Sequence, residues 1–296
     1  MTAKEPKTSE TPASADKPRM MSRPAVRAFM HRLSEVFPNP RTELVYRNHF
    51  ELLVCVVLSA QATDKSVNQA APALFAAAPT PEAMAALGEE GIAPYIRKIG
   101  LWRAKARNLA LLARQLIERH NGEVPDTRPE LEALAGVGHK TAGVILNVAF
   151  GQPTLAVDTH IFRVSNRTGL APGKNVLTVE EELLARIPPD QIMPAHHEIL
   201  LLGRYICKAR TPECWQCPTA KWCLFSEKNL SPSEKLRESS GQQLAKDLAH
   251  VRRVADESVA IETVTEVTEV TEKVRVTGEA DPPAANQENQ EDCQES

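Results

Sequence analysis

The sequence predicts an all-α fold with roughly ten short helices, and three observations carry this prediction. Apolar residues recur at spacings of three and four along much of the chain, as they do on one face of a helix. Residues that typically start or stop helices flank several of these stretches. No convincing run alternates between apolar and polar residues, and no Asn-Gly turn joins two strand-like runs.

The folded part of the chain is predicted from the placement of its aromatic residues. All of them lie between Phe29 and Phe225, and segments without aromatic residues rarely build a core. We therefore expect a folded region at 23–228 and disordered tails at 1–22 and 229–296. The second tail repeats Val-Thr-Glu three times over 264–272, a period that matches neither strand nor helix. A solvated tail and a partner-binding strand are both compatible with that repeat.

Charge is distributed unevenly along the chain. The whole sequence has a net charge of −3, which by itself argues mildly against nucleic-acid binding. The net charge is +1 over 1–22, +4 over 23–228 and −8 over 229–296. The predicted folded region is therefore mildly basic, and the acidic tail hides this in the total.

The longest apolar run, 52–58, falls far short of the roughly 18 residues that a membrane span needs. We expect it to form a buried helix, in which Cys55 is a small core residue. An apolar signal-peptide segment is also missing after the first Met. A soluble, intracellular protein with no membrane association is expected.

Four further helices are predicted from their ends. A helix over Trp102–His120 is followed by the stop signal Asn121-Gly122. Pro81 starts a short helix that Gly88 ends. Thr178 and Glu181 match a capping box, and Pro194 fits the first turn of a helix running toward Tyr205.

Four of the six cysteines form a group typical of a metal centre. They are Cys207, Cys214, Cys217 and Cys223, with the spacing C-x6-C-x2-C-x5-C. In an intracellular chain such a group favours a metal over disulfides, because gathered thiolates need a compensating cation. The spacing favours a [4Fe–4S] cluster, with zinc as the alternative. Lys208 and Arg210, between the first two cysteines, either contact DNA phosphates or screen the charge of the cluster.

The segment 131–146 predicts two short helices joined by a glycine turn. We expect the first helix to end at Gly136-Val137-Gly138 and the second to begin immediately afterwards. Because glycines lack side chains, the backbone N–H groups that open the second helix can approach a phosphate. Simple turn chemistry is an equally good reason for these glycines.

Lys140 and Asp158 are the candidate catalytic side chains. Lys140 falls in the first turn of the second helix, where the positive helix end disfavours an ammonium group. A neutral lysine is a nucleophile that can form a Schiff base, although most lysines are simply solvated. Asp158 precedes a helix and is expected to cap it, which would also fix its rotamer as catalysis requires.

Several motifs, in this order, resemble the endonuclease III family of helix-hairpin-helix DNA glycosylases. They are LSAQATD at 58–64, IGL at 99–101, HNGEVP at 120–125, LAGVGHKTAG at 134–143, AVDTHIFRV at 156–164, APGKN at 171–175 and the four-cysteine run. The resemblance covers roughly residues 24–227 and leaves both tails unexplained. It strengthens the expectation of a [4Fe–4S] cluster.

The resemblance implies a base excision repair enzyme that removes oxidised pyrimidines from damaged double-stranded DNA. Two helical domains flank a DNA-binding groove: 42–152 carries the hairpin, and 23–41 with 153–228 carries the cluster. A lysine nucleophile implies a bifunctional glycosylase and abasic-site lyase. We expect a monomer, since one groove needs one copy, located at the nucleoid in the bacterial cytoplasm.

The resemblance also assigns roles to individual residues. Lys140 matches the nucleophile of the family and Asp158 its essential carboxylate. Gln61 matches the residue that fills the gap left by the extruded base, and Leu101 matches a wedge into the opposite strand. The remaining expected DNA-binding residues are Gly136, Val137, Gly138, His139, His160, Lys208 and Arg210. The cluster is implied to be structural and to position DNA.

Three residues depart from the family pattern. Ala135 stands where proline is usual, His139 replaces an arginine, and Gly143 stands where asparagine is common. Glycine inside a helix costs up to about 1 kcal/mol relative to alanine. These departures bear on DNA affinity and substrate range.

Three alternatives remain beside the main hypothesis. A monofunctional adenine glycosylase shares the hairpin, the Asp and the cluster, but Lys140 argues against it. A pyrimidine-dimer glycosylase is compatible with the sequence. A catalytically silent iron–sulfur protein that binds DNA architecturally would need neither Lys140 nor Asp158.

Overall fold

The computed structural model describes residues 19–276, with the side chains of residues 19–254 and 256. Within this range the chain is helical and has no strand, which confirms the all-α prediction. The helices are α1 Arg23–Val36, α2 His49–Ser59, α3 Asp64–Ala77, α4 Pro81–Ile96, α5 Trp102–His120, α6 Arg128–Glu132, α7 His139–Val148, α8 Thr159–Thr168, α9 Val176–Arg186, α10 Ile192–Leu201 and α11 Glu234–Val276. None of the described helices combines the length and apolar character needed to cross a membrane.

Two hydrophobic cores hold these helices together. The first is built by α2 to α7 around fully buried residues such as Leu53, Leu74 and Leu112. The second is built by α1 and α8 to α10 around Phe29 and Ile199. The described residues up to Asp256 form one compact unit.

Most of the predicted helix ends are found where expected. Helix α5 spans Trp102–His120, and Asn121 follows it in a left-handed conformation with φ 53°. Pro81 opens α4, and Gly88 interrupts that helix with φ 63°. Pro194 lies in the first turn of α10, which passes into a π-helical turn at Leu202–Ile206. Residues 52–58 are buried in α2.

The predicted capping box at Thr178 and Glu181 is wrong. Helix α9 begins earlier, at Val176, and Asn175 is its N-cap. The Asn175 side chain accepts a hydrogen bond from the Thr178 amide at 2.9 Å. Asparagine competes well with threonine for this position, because its short side chain also accepts from the second or third amide of the helix.

The segment predicted as a disordered tail differs in the structure from Glu234 onward, where helix α11 begins. Leu244, Leu248 and Val251 repeat at spacings of four and three and pack against the second core. Ser240 donates a hydrogen bond to Glu213 at 3.2 Å. A short aliphatic stripe therefore attaches this segment without any aromatic residue. The remaining parts of the two predicted tails, 1–18 and 277–296, lie outside the described residues.

Candidate active site and DNA-binding surface

A cleft of about 520 Å³ brings together the residues that the sequence singled out for catalysis. Lys140 and Asp158 both line it, together with Gln61 and His160. The walls also include residues of both hydrophobic cores, such as Val56 and Leu201. Residues separated by about a hundred positions in sequence thus share one concave site, as expected for an enzyme.

Lys140 reaches the cleft from the start of α7. The helix begins at His139 after the N-cap Gly138, so Lys140 is its second residue and is exposed. The hydroxyl of Thr154 donates to the Gly143 carbonyl at 2.6 Å and ties α7 to the segment that leads to Asp158. A Cβ atom on Gly143 would lie only 3.2 Å from the Cβ of Ala156. The glycine therefore permits close contact between the helix of Lys140 and the segment before Asp158.

Asp158 enters the cleft as the N-cap of α8. Its Oδ1 accepts a hydrogen bond from the Ile161 amide at 2.8 Å. The predicted cap is thus present, and it fixes the carboxylate against the first turn of the helix. The same carboxylate lines the cleft with Lys140.

The turn between α6 and α7 contains the glycines that were predicted to join the two helices. The first helix ends at Glu132, four residues earlier than the sequence predicted. Gly136 has φ 80°, a conformation that favours glycine, and a Cβ on Gly138 would meet nothing within 4 Å. The first amides of α7 have no partner carbonyl in a preceding helical turn, as at the N-terminus of any helix.

Val137 has a structural role in this turn. Its side chain is buried in the first core, and its amide donates to the Leu134 carbonyl at 3.1 Å. The side chain therefore anchors the hairpin, and neither of these groups is available to DNA.

The His139 side chain is held by charged neighbours. Nδ1 lies 3.0 Å from Glu132 Oε1 and 3.3 Å from Arg128, and Nε2 lies 3.1 Å from Glu180 Oε2. Both ring nitrogens of His139 are therefore engaged by groups of the protein itself.

Gln61 and Leu101 occupy two adjacent turns. Both have left-handed backbone conformations, with φ 55° and 59°, although neither is glycine. Leu101 is 59% exposed, which is unusual for a large apolar side chain, and Gln61 is exposed beside it. The two turns are close, since a Cβ on Gly100 would lie 3.5 Å from the Gln61 carbonyl oxygen.

His160 lies in the first turn of α8. Its Nδ1 is 3.2 Å from the guanidinium of Arg163, which in turn donates to the Gly203 carbonyl at 2.9 Å. The ring is half-buried at the edge of the cleft.

One wall of the cleft contains an ion-pair network that was not predicted from the sequence. Arg204 donates to Glu43 at 2.7 Å and to Asp64 at 3.2 Å, and the Tyr205 hydroxyl donates to Glu43 at 2.7 Å. Asp64 belongs to a motif that carried the resemblance, but Glu43 and Arg204 are 161 positions apart. Only the folded chain brings them together.

His196 is a second residue that sequence analysis missed. It lines the cleft, is 4% exposed, and its Nδ1 is buried without a hydrogen-bond partner. Burial, together with the nearby charge of Lys140, lowers the pKa of His196 to about 4. The imidazole is therefore neutral near pH 7 and offers an acceptor nitrogen.

The four cysteines predicted as metal ligands line one small cavity together. Cys207, Cys214, Cys217 and Cys223 are all free thiols, so the structure excludes disulfides among them. Arg167 donates to the Cys207 sulfur at 3.5 Å and to the Lys208 carbonyl at 2.8 Å. No described group of three metal-ligating side chains is arranged to hold a metal ion. The fit to a cluster therefore rests on the four-thiol donor set and the shared cavity.

Lys208 and Arg210 differ in their surroundings. The ammonium of Lys208 lies 2.5 Å from Glu213, which is buried and also accepts from Gln216 and Ser240. Arg210 is exposed on the same loop. Of the two cations, Lys208 thus has its charge largely balanced within the protein.

Comparisons with known proteins agree with this geometry. Residues 54–189 match the model of the HhH-GPD superfamily of base excision DNA repair proteins. Endonuclease III of Haemophilus influenzae is 55% identical over 197 residues, covering 67% of this chain and 93% of that protein. Endonuclease III of Escherichia coli K12 gives the same identity and coverage.

A solved structure is similar over the same region. It is that of a trapped endonuclease III–DNA covalent intermediate, with 44% identity and a TM-score of 0.68. The match covers 72% of this chain and all of that chain. With its helical hairpin and its cleft containing a lysine and an aspartate, the chain belongs to the endonuclease III family and is a DNA glycosylase of base excision repair.

Proposed function

We propose that this protein is a bifunctional DNA glycosylase and abasic-site lyase that removes oxidised pyrimidines from duplex DNA. The observation that carries the proposal is the presence of Lys140 and Asp158 on the walls of one cleft. A lysine can supply a covalent nucleophile, and a fixed carboxylate can stabilise the positive charge that develops on the sugar.

The proposed reaction starts with extrusion of the damaged base, because its sugar cannot be reached inside the duplex. The Lys140 amine, in its unprotonated form, then attacks C1′ of the sugar, and the N-glycosidic bond breaks with its electrons going to the base, which takes a proton from water. Asp158 stabilises the oxocarbenium character at C1′ and accepts the proton that Lys140 loses. The resulting amine opens the sugar ring and forms a Schiff base.

Strand cleavage follows from this Schiff base. Loss of a C2′ proton drives β-elimination, and the C3′–O bond breaks with the 3′ phosphate as leaving group. Water then hydrolyses the iminium and frees Lys140. The strand is thus cut 3′ to the abasic sugar by the same lysine that released the base.

DNA is proposed to lie across the hairpin and the two exposed turns. The open amides beside Gly136 and Gly138 would hold a phosphate without reading sequence. Gln61 would fill the gap left by the extruded base and Leu101 would wedge the opposite strand, which offsets part of the cost of extrusion. His160 and Arg210 would add contacts at the edges of this surface.

Cys207, Cys214, Cys217 and Cys223 are proposed to hold a [4Fe–4S] cluster. Bound through these four sulfurs, such a cluster would supply a structural cross-link for the loop that carries Arg210 and would take no part in the reaction. We further propose the domain division 42–152 and 23–41 with 153–228, in accord with the two hydrophobic cores. We also propose that the protein acts as a monomer on the chromosome in the cytoplasm, since one DNA-binding groove needs one copy of the chain.

Borohydride trapping tests the proposed function. The protein is incubated with duplexes carrying thymine glycol, an abasic site or adenine opposite 8-oxoguanine, and covalent complexes are separated by gel. We expect the wild-type protein to be trapped on the thymine glycol and abasic duplexes. Lys140→Ala should not be trapped, whereas the control Lys235→Ala, which changes another exposed lysine, should be trapped as efficiently as the wild type. If Lys140→Ala is still trapped, Lys140 is not the nucleophile. If the protein acts only on adenine opposite 8-oxoguanine, its substrates are not oxidised pyrimidines.

A further inference from the structure

Lys105 is a buried lysine that the proposed reaction does not use. Its side chain is only 5% exposed, although lysine is rarely buried without a partner. Its ammonium donates a hydrogen bond to the Leu58 carbonyl at 2.9 Å. Burial lowers the pKa of Lys105, which shows that this position costs the charged group part of its hydration.

The carbonyl that Lys105 binds belongs to the end of α2. Helix ends leave carbonyls without intrahelical partners, and the next amides here bond elsewhere: Ala60 to Val57 and Ala62 to Ser59. A cation at this end also meets the negative pole of the helix. Lys105 therefore caps α2 from another element, three residues before Gln61.

The backbone of Lys105 is bonded to the second exposed turn. Its amide donates to the Leu101 carbonyl at 3.1 Å, and Leu101 is the N-cap of α5. One residue thus bonds the helix end that precedes Gln61 and the turn that presents Leu101. Left-handed conformations at non-glycine residues such as Gln61 and Leu101 are unfavourable and persist only where the surroundings hold them.

We propose that Lys105 is a positioning residue that joins the Gln61 turn and the Leu101 turn into one rigid unit, so that both side chains enter the duplex at a fixed separation. The proposal rests on the proposed function, because it assigns the two exposed side chains to base extrusion. Loss of the link would leave the reacting groups in place and raise the cost of opening the duplex.

Comparison of two substrates tests the proposal. Lys105→Met keeps the length of the side chain and removes the donor, and Lys235→Met is the matched control. Single-turnover rates are measured on thymine glycol paired with adenine and on a preformed abasic site. We expect base excision to fall by about tenfold to a hundredfold, the factor that loss of a charged hydrogen bond gives, with a much smaller change in abasic-site cleavage.

A second readout reports the opening of the duplex directly. 2-Aminopurine beside a non-cleavable abasic analogue becomes fluorescent when it unstacks, and we expect a weaker signal with Lys105→Met at saturating protein. A lesion placed in a mismatch is cheaper to extrude, so the excision defect should shrink there. If Lys105→Met does not fold, Lys105→Leu, which also lacks a donor, replaces it in both measurements.

The outcomes separate this proposal from the proposed function. Equal losses on both substrates, or an excision defect without a fluorescence change, would overturn the role of Lys105. A wild-type protein that cuts neither substrate would overturn the proposed function, whereas the fluorescence comparison would still report on Lys105, since it needs only DNA binding.

Discussion

Asp158 Oδ1 and the Ile161 amide are joined by a 2.8 Å hydrogen bond, so one carboxylate both caps a helix and lines the cleft. Asn is as good an N-cap as Asp, which lets the two roles be separated. We expect Asp158→Asn to retain wild-type stability and to lose about a hundredfold or more in excision rate. Asp158→Ala should show the same kinetic loss and also unfold about 1 kcal/mol more easily. Urea unfolding and single-turnover kinetics measure the two effects, and an active Asp158→Asn would contradict the catalytic role.

The two cations of the cysteine loop should contribute unequally to DNA affinity. Lys208 is paired with Glu213, whereas Arg210 is exposed, so Arg210→Met should weaken binding at all sequences and reduce the salt slope by about 1. Lys208→Met should change the slope less. Fluorescence anisotropy on a non-cleavable abasic duplex over a range of salt concentrations measures both slopes. Equal slopes for the two variants would show that Glu213 leaves Lys208 free to bind DNA.

Iron binding should depend on the four loop cysteines and not on Cys55. Cys55 is fully buried in α2, where its pKa is raised to about 12 by burial, followed by the charges of Glu51 and Asp64. We expect Cys223→Ser to lose most of its iron and visible absorbance, and Cys55→Ala to retain both. Metal analysis of the purified proteins measures this directly. Zinc without iron in the wild type would refute the proposed cluster.

Stability should fall with rising pH because of Glu198. This residue is fully buried, one oxygen accepts from Ser34 at 2.7 Å, and the other has no partner. Burial raises the pKa of Glu198 to about 7, so between pH 4.5 and 7 the native state binds more protons than the unfolded state. Its contribution is therefore favourable at low pH and is lost as pH rises through the native pKa.

Glu198→Gln isolates this effect. Relative to the wild type, Glu198→Gln should gain about 2–3 kcal/mol in unfolding free energy when the pH is raised from 5 to 8. Burial lowers the pKa of His196 and His197, which gives a trend of the opposite sign, but both proteins share it. Urea unfolding at the two pH values measures the difference, and a constant difference would show that Glu198 does not titrate in this range.

Helix α11 should stabilise the folded protein through its first half. Val251 is buried, Leu244 and Leu248 pack against the second core, and Ser240 bonds Glu213. Removal of residues 234–296 should cost about 2–5 kcal/mol in unfolding free energy, while removal of residues 257–296 should cost little. Thermal unfolding of the two truncated proteins tests this, and equal stability would show that the contacts of α11 carry no net energy.

The sequence predicted the helices, and the positions of Lys140 and Asp158 at helix starts, better than it predicted contacts between distant segments. Periodicity and end signals are local, so the bounds of α5 and the cap at Asp158 could be inferred from neighbouring residues. The predicted capping box at Thr178 was wrong because Asn175 and Thr178 are both suitable N-cap residues for α9. The local sequence does not indicate which of the two is used. The burial of Lys105 could not be predicted from its neighbours in sequence, because its hydrogen-bond partner Leu58 is 47 residues away. Helix α11 was not predicted because, among its described side chains, only three aliphatic residues, Leu244, Leu248 and Val251, attach it to the second core, and it contains no aromatic residue.

The close contact between Gly143 and Ala156 restricts substitutions at these two positions more than substitutions elsewhere in the cleft. We expect the separation of the proposed nucleophile Lys140 from the proposed carboxylate Asp158 to depend on this close contact between their segments, because such packing is nearly incompressible. Other residues of the cleft wall, such as Val56 and Leu200, belong to α2 and α10 and not to these two segments. Substitutions there can alter which damaged base is accepted while the spacing of the chemical groups is preserved, so substrate range can diverge without loss of the reaction.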